Sequence, residues 1–301
     1  MKSRLAAAAA ITLSLLLAAC GAAPTLPTSS GASAPANTAS STLGPVQADS
    51  ALTAKLPKKV QDAKKIVIGV DATYKPNEYL DTDGKTVIGM NVELFDAVAA
   101  RMGVKTEWQA SAFDQIIIGV QANKYDVGAS SFTINDERKK VVNMVSFLSA
   151  GSLWAVAKGN PKNVDPKSIC GLTITYQTGT VQDDEITEAD TKCAPDKKIK
   201  KLPFQDQGEV NNAIMTGRAD AMTADSPITS FAIKQSDGKL QALGDVYDAA
   251  PYGIVVNKDQ KDFADAIAKA FGDIKASGHY DAILAKYGLD KGGISKFEVN
   301  P

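Results

Sequence analysis

Residues 124–138, KYDVGASSFTINDER, place three hydroxyls, Ser130, Ser131 and Thr133, just ahead of Asn135, Asp136, Glu137 and Arg138. This is the pattern of a short buried strand over residues 126–129 that ends in hydroxyls and opens a helix at Asn135, with two acids in its first turn. Hydroxyls and free backbone N–H groups at such a junction suit a small anion. An arginine one turn into the helix adds a planar two-pronged grip on a carboxylate. The plain alternative is that Asn135 only caps a helix and Arg138 is solvated. A second stretch mirrors the first: residues 210–216 have helical spacing, Gly217 and Arg218 turn, and residues 219–224 form a strand ending at Asp225, Ser226 and Pro227. Here the strand delivers a carboxylate before a helix whose first turn accepts proline. An arginine from one unit and an aspartate from the other can bracket the carboxylate and the ammonium of an α-amino acid. The plain reading of Asp225 is an N-cap worth about 1 kcal/mol.

The elements that must position these groups alternate in type. Residues 66–70, IVIGV, are an apolar β-branched run suited to a strand buried on both faces. Residues 71–79, from Asp71 through Tyr74 to Tyr79, read as a loop too polar for a core, and Asp83 and Gly84 turn between short extended pieces around Leu80 and Val87. Residues 91–102 carry a helical stripe of Leu94, Phe95, Val98 and Met102 stopped by Gly103. A strand over residues 105–109 and a helix over 113–123 follow. Such alternation implies an α/β sandwich around a largely parallel sheet. In such sheets ligands lie beyond the C-terminal ends of the strands, where Asp71, Tyr74, Phe113 and residues 130–133 are expected to converge.

Composition narrows the chemistry. The 301 residues are 44% hydrophobic and 22% charged, enough for two cores, and a net charge of −1 gives no footprint for nucleic acid. One histidine, His279, and three cysteines, Cys20, Cys170 and Cys193, leave little for a metal cluster or a histidine-based triad, and no cofactor is implied. Residues 1–19 read as an export leader: Lys2 and Arg4, an apolar run over 5–17, then Leu17-Ala18-Ala19-Cys20. That ending resembles a bacterial lipobox, in which the Cys20 thiol is lipidated and becomes the mature N-terminus. Residues 20–54 are mostly Ala, Pro, Ser and Thr and read as a flexible leash. Cys170 and Cys193 flank a strand and a helix in an exported protein without CxxC spacing, so a structural disulfide is expected.

The stretches IVIGVDATYKPNEY, GMNVELFDAVAARMGVK, FDQIIIGVQANKYDVGASSFTINDERKKVV, GRADAMTADSP, APYGIVV and IKASGHYDAILAKYG occur in the order and rough spacing seen in polar amino-acid substrate-binding proteins of ABC importers. The resemblance covers residues 66–288. It implies a two-lobed flytrap of the periplasmic-binding-protein fold, each lobe a mixed, largely parallel sheet flanked by helices. The lobes are expected over residues 55–152 with 251–301, and over 153–250. The chain would cross near residues 150–154 and 251–253. By resemblance Arg138 clamps the ligand α-carboxylate with Ser131 and Thr133, Asp225 with the Ser130 region takes the α-ammonium, and Asp71 and Tyr74 face the ligand side chain. Phe113 packs over it, and the loop with Gly179 and Thr180 closes on the carboxylate. Asn77 and Val181 depart from the family pattern, where many relatives carry a phenylalanine and some a second hydroxyl. A desolvated Asp71 favours a cationic or amide side chain. The implied partners are an amino acid, a permease with its ATPase, and the membrane through the Cys20 lipid, on the outer face of a bacterial cytoplasmic membrane. The implied role is not enzymatic. The rival on the same fold is a dehydratase of the arogenate or cyclohexadienyl type.

Overall fold

The structure, a computed structural model, describes Leu43–Pro301; the leader and lipobox, with Lys2, Arg4 and Cys20, lie outside the described residues. Two short helices, α1 (Ser50–Thr53) and α2 (Lys58–Ala63), lead into β1 (Lys65–Val70), followed by the small strands β2 (Thr73–Tyr74), β3 (Glu78–Leu80) and β4 (Val87–Ile88). The first lobe continues through α3 (Met90–Arg101), β5 (Lys105–Ala110), α4 (Phe113–Gln121), β6 (Val127–Thr133) and α5 (Asp136–Val141). The long β7 (Val142–Ala157) crosses to the second lobe, built from β8 (Thr173–Gln177), α6 (Val181–Thr191), β9 (Lys200–Phe204), α7 (Gln207–Met215), β10 (Ala221–Asp225) and α8 (Ser226–Gln235). The equally long β11 (Leu240–Asn257) returns, and α9 (Lys261–Ala276) and α10 (His279–Tyr287) complete the first lobe.

The strand order is β5-β1-β6-β11-β7-β10-β8-β9, with a separate β2-β3-β4 sheet. In each lobe three strands run parallel, β5-β1-β6 in the first and β10-β8-β9 in the second. The antiparallel β7–β11 ribbon joins the two sets, and its register slips between Leu243 and Tyr247 and between Tyr247 and Ala250. Slips of this kind bend and twist a ribbon locally, so the crossing is also where the two lobes can turn against each other. Each lobe has its own core. Phe95, Val98, Phe263, Ile267 and Phe271 pack the first, with α9 laying its apolar face on the ribbon and on α3. Trp154, Ile174, Tyr176 and Ile186 pack the second. Trp154, although it falls within the expected crossing at residues 150–154, belongs to the second-lobe core.

Residues 43–54, expected within the leash, pack against the first lobe. Asp49 caps α1 by accepting from the Ala51 N–H, Arg101 reaches Asp49 Oδ2 at 3.1 Å and the Gln47 carbonyl at 3.0 Å, and Leu52 is buried. Thr53 adds a bond from its hydroxyl to the Met102 carbonyl at 2.8 Å, the Asp49 N–H donates to the Arg101 carbonyl at 2.9 Å, and Val46 packs against the core, so residues 43–54 dock on the first lobe.

Cys170 and Cys193 are joined by a disulfide that ties the start of β8 to the end of α6, across 23 residues of sequence. Its loss, as Cys170→Ala with Cys193→Ala, frees that loop in the unfolded chain and is expected to cost about 3 kcal/mol. Thermal unfolding of the double variant should show a midpoint lower by roughly 6–12 °C.

Candidate functional site

The C-terminal ends of β1, β6, β8 and β10 face one another across the cleft and enclose a small cavity of about 10 Å³. Its walls are Tyr74, Phe113, Ser131, Thr133 and Arg138 from the first lobe, and Thr180, Val181, Gln182 and Asp225 from the second. Of the ten ligand-binding residues expected from the sequence, seven line it. Asp71, Ser130 and Gly179 stand immediately behind.

Arg138 sits one turn into α5, whose first turn is fixed by Asn135 accepting from the Arg138 N–H at 2.9 Å. Its guanidinium donates to the Thr133 carbonyl at 2.8 Å and, across the cleft, to the Gly179 carbonyl at 3.1 Å. The Phe113 and Phe132 rings, stacked 4.6 Å apart, each lie 5.5 Å from its centre. Among the described residues no carboxylate approaches this cation within 4.0 Å, and desolvation lowers its pKa. Gly179 and Thr180 lead into α6, where Thr180 caps by accepting from the Asp183 N–H. The N–H groups of Val181 and Gln182 fall in the first helical turn, where no intrahelical acceptor exists. A half-buried cation and a helix start on facing walls form a carboxylate-shaped environment.

Asp225 ends β10 at the N-cap position of α8, yet its side chain makes no capping bond. Oδ2 instead accepts from the Tyr252 hydroxyl at 2.7 Å and Oδ1 from Gln182 Nε2 at 2.8 Å. Burial raises the Asp225 pKa, opposed by the hydroxyls of Tyr252 and Tyr74, the Gln182 amide and the Arg138 charge. Two tyrosines and one amide supply hydrogen bonds but no positive charge, so Asp225 suits an ammonium.

The stretch expected to be a polar loop is largely buried. Asp71 is 3% exposed, and Asn77 and Glu78 are fully buried. The reason is the tiny β2-β3-β4 sheet, which folds these residues inward against β6 and α3. Asp71 Oδ1 accepts from the Thr73 N–H and hydroxyl, and Oδ2 accepts from Gln177 of the second lobe. Further bonds across the cleft run from the Gln207 N–H to Thr73 Oγ1 at 3.1 Å and from Gln205 Nε2 to Asp114 Oδ2 at 3.3 Å. The cleft is thus closed. Around this acidic flank, Asp114 Oδ1, Gln177 Oε1 and Gln207 Oε1 are buried acceptors without a protein donor. Ser130 does not face the cavity; its hydroxyl accepts from the Asp71 N–H at 2.9 Å.

Sequence reasoning missed Gln182, Tyr252 and Glu78. Gln182 and Ile186 are the buried residues of α6, spaced four apart, so an inward-facing glutamine beside an isoleucine was the available signal. Tyr252 is a strand residue of the returning ribbon, and nothing local marks it. Glu78 lies within the misread loop.

The chain is similar to known proteins along most of its length. The sequence pattern of the family described as bacterial extracellular solute-binding proteins, family 3, matches residues 66–290. The arginine-binding protein ArgT of Corynebacterium glutamicum is 33% identical over 250 residues, 82% of each chain. The lysine/arginine/ornithine-binding periplasmic protein of Escherichia coli is 30% identical over 228 residues, 73% of this chain and 86% of that protein. Among solved structures, an ancestral arginine-binding protein bound to arginine superposes with a TM-score of 0.70 at 29% identity, covering 74% of this chain and 98% of that one.

Burial pushes Asp71 up to about 6 from its ordinary 3.8, with the nearby Asp206 adding to the shift and Thr73 and Gln177 opposing it. Between those values the folded protein keeps a proton that the unfolded chain has released. The stabilisation from this carboxyl is therefore full below 3.8 and is lost as pH rises through 6. Asp71→Asn removes that dependence. In thermal scans of the ligand-free protein, the midpoint of the variant minus that of the wild type is expected to rise between about pH 4 and about pH 7.

Proposed function

The chain belongs to the bacterial extracellular solute-binding proteins, family 3, and on that premise we propose that it binds a single free α-amino acid with a cationic side chain. The observation that carries this reading is the pair formed by Arg138 and Asp225, on different lobes and on the walls of one cavity. A zwitterion satisfies both ends at once. Its carboxylate takes the two-pronged guanidinium together with the start of α6, and its ammonium takes Asp225. The acidic flank with Asp71 and Asp114, and the three buried acceptors beside it, favour a donor-rich guanidinium or ammonium and disfavour an acidic side chain. Similarity to an arginine-binding protein of Corynebacterium supports the same class.

The protein makes and breaks no bond in this role. Its lobes interconvert between open and closed, and the ligand shifts the population toward closed because only there does it touch both lobes. The closed shape is then read by a membrane permease whose ATPase drives import. Export fits the leader in the sequence, and Cys20 in its lipobox-like setting anchors the protein by lipid to the outer face of the cytoplasmic membrane. The leash then lets the flytrap reach the permease. The dehydratase alternative needs a general acid over a ring substrate, whereas the relatives named above are binding proteins.

A thermal-shift panel of the twenty amino acids with ornithine and citrulline tests this directly. A ligand at about 100 times its dissociation constant adds roughly 2.7 kcal/mol to stability. Arginine, lysine or ornithine is expected to raise the midpoint, and aspartate and glutamate are not. Arg138→Ala should weaken binding by about 2–5 kcal/mol, since it leaves a desolvated carboxylate unpaired. No shift with any member of the panel contradicts the amino-acid reading.

A further inference from the structure

Behind the cavity, and not lining it, Glu78 holds together a frame of polar side chains that is almost entirely shut off from water. Asn77 and Glu78 are 0% exposed, Asn91 and Ser130 1%, and Ser131 2%. Glu78 Oε1 accepts from the Ser131 hydroxyl at 2.9 Å, Ser130 Oγ lies 3.4 Å from the same atom, and Oε2 accepts from Asn91 Nδ2 at 2.6 Å. Ser131 Oγ in turn accepts from Asn77 Nδ2 and Asn91 Nδ2, each at 2.9 Å. The one hydrogen of this hydroxyl is spent on Glu78 and its lone pairs on the two amides, so it has nothing left to donate to a ligand. Ser131 can meet a ligand carboxylate only through its backbone N–H.

That backbone is unusual. Ser131 has φ of 54°, the left-handed region that a non-glycine residue occupies at a cost, and which persists only where surroundings enforce it. No other residue of the β6 strand has a positive φ. The frame supplies the enforcement. Tying the Ser131 side chain inward from three directions fixes the turn of its backbone at the cavity wall, two residues before Thr133, whose carbonyl holds Arg138. Gly89, at the start of α3, completes the arrangement: a Cβ there would lie 2.3 Å from the Asn77 carbonyl oxygen, so only glycine lets α3 deliver Asn91 this close.

We propose that Glu78 is a positioning residue of the amino-acid site, acting through Ser131, whose left-handed backbone it holds in place so that the peptide N–H, not the hydroxyl, serves the ligand. This rests on the amino-acid reading above. Glu78→Leu is close in size and removes the acceptor. Glu78→Gln keeps an acceptor for the Ser131 hydroxyl.

Two readouts on the full chain keep this inference separable from that reading. In the ligand-free protein, the Ser131 carbon chemical shifts are expected to mark a left-handed backbone in the wild type and in Glu78→Gln, and to move toward extended values in Glu78→Leu. With L-arginine as the titrant, Glu78→Leu is expected to lose about tenfold in affinity and Glu78→Gln to recover most of it. In a Ser131→Gly background, where the left-handed backbone needs no enforcement, Glu78→Leu should cost less than about twofold more. Where Glu78→Leu does not fold, Asn77→Ala removes one of the two amide donors and is measured in the same way. Unmoved Ser131 shifts, or an equal loss in the two backgrounds, overturns the role of Glu78. A wild type that ignores L-arginine while its Ser131 shifts respond to Glu78→Leu leaves this inference standing and counts against the amino-acid assignment instead.

Discussion

Arg138 is half-buried beside a stacked pair of phenyl rings and receives two carbonyl oxygens but no carboxylate. Carbonyl dipoles and aromatic rings soften the desolvation of a guanidinium without neutralising it. A cation left in that condition is costly alone and strongly stabilised by an anion that arrives with its own desolvation partly met. The rest of the first lobe is arranged so that this cation faces the cavity. The Asn135 cap fixes where α5 begins, β6 ends in a carbonyl aimed at the guanidinium, and α4 begins with the phenylalanine that covers it.

The second lobe supplies what the first lacks. The α6 start offers unpartnered N–H groups, and β10 brings Asp225 to the opposite wall, hydrogen-bonded by neutral groups only. Tyr252 belongs to the strand that crosses back to the first lobe, so the acid of one lobe is held in part by a residue paired with Thr133 of the other. The cross-cleft bonds of Gln177, Gln205 and Gln207 are neutral or singly charged, each worth on the order of 1 kcal/mol net. They can close the cleft but cannot bind it shut. In the proposed role, a ligand bridging Arg138 and Asp225 would add the larger charge-assisted term, and the slipped registers of the β7–β11 ribbon would give the motion its pivot.

Much of this was legible in the sequence because it depends on local pattern. The strand–hydroxyl–helix junction at residues 124–138 and the strand–aspartate–helix junction at 219–227 place Arg138 and Asp225 at strand ends, and strand ends are where such sheets bind. What was not legible depends on tertiary burial. Residues 71–79 are polar enough to read as a loop, and only the small antiparallel sheet folding back on α3 turns Asn77 and Glu78 into core. Tyr252 contributes through an atom one side chain away from its strand, across the lobe boundary. The docking of residues 43–54 uses scattered single residues, Val46, Asp49, Leu52 and Thr53, with no periodicity to stand out in an Ala- and Ser-rich segment.

The central claim is that both charged ends of one amino acid are gripped at once, by groups on opposite walls. Calorimetric titration with L-arginine, its α-amide and its Nα-acetyl derivative separates those ends while leaving the side chain intact. Loss of at least about thirtyfold in affinity for each derivative is the predicted result, because each leaves one desolvated charge, Arg138 or Asp225, without its partner. A derivative that binds as tightly as the parent contradicts the account, and identifies which of the two walls does not hold the ligand.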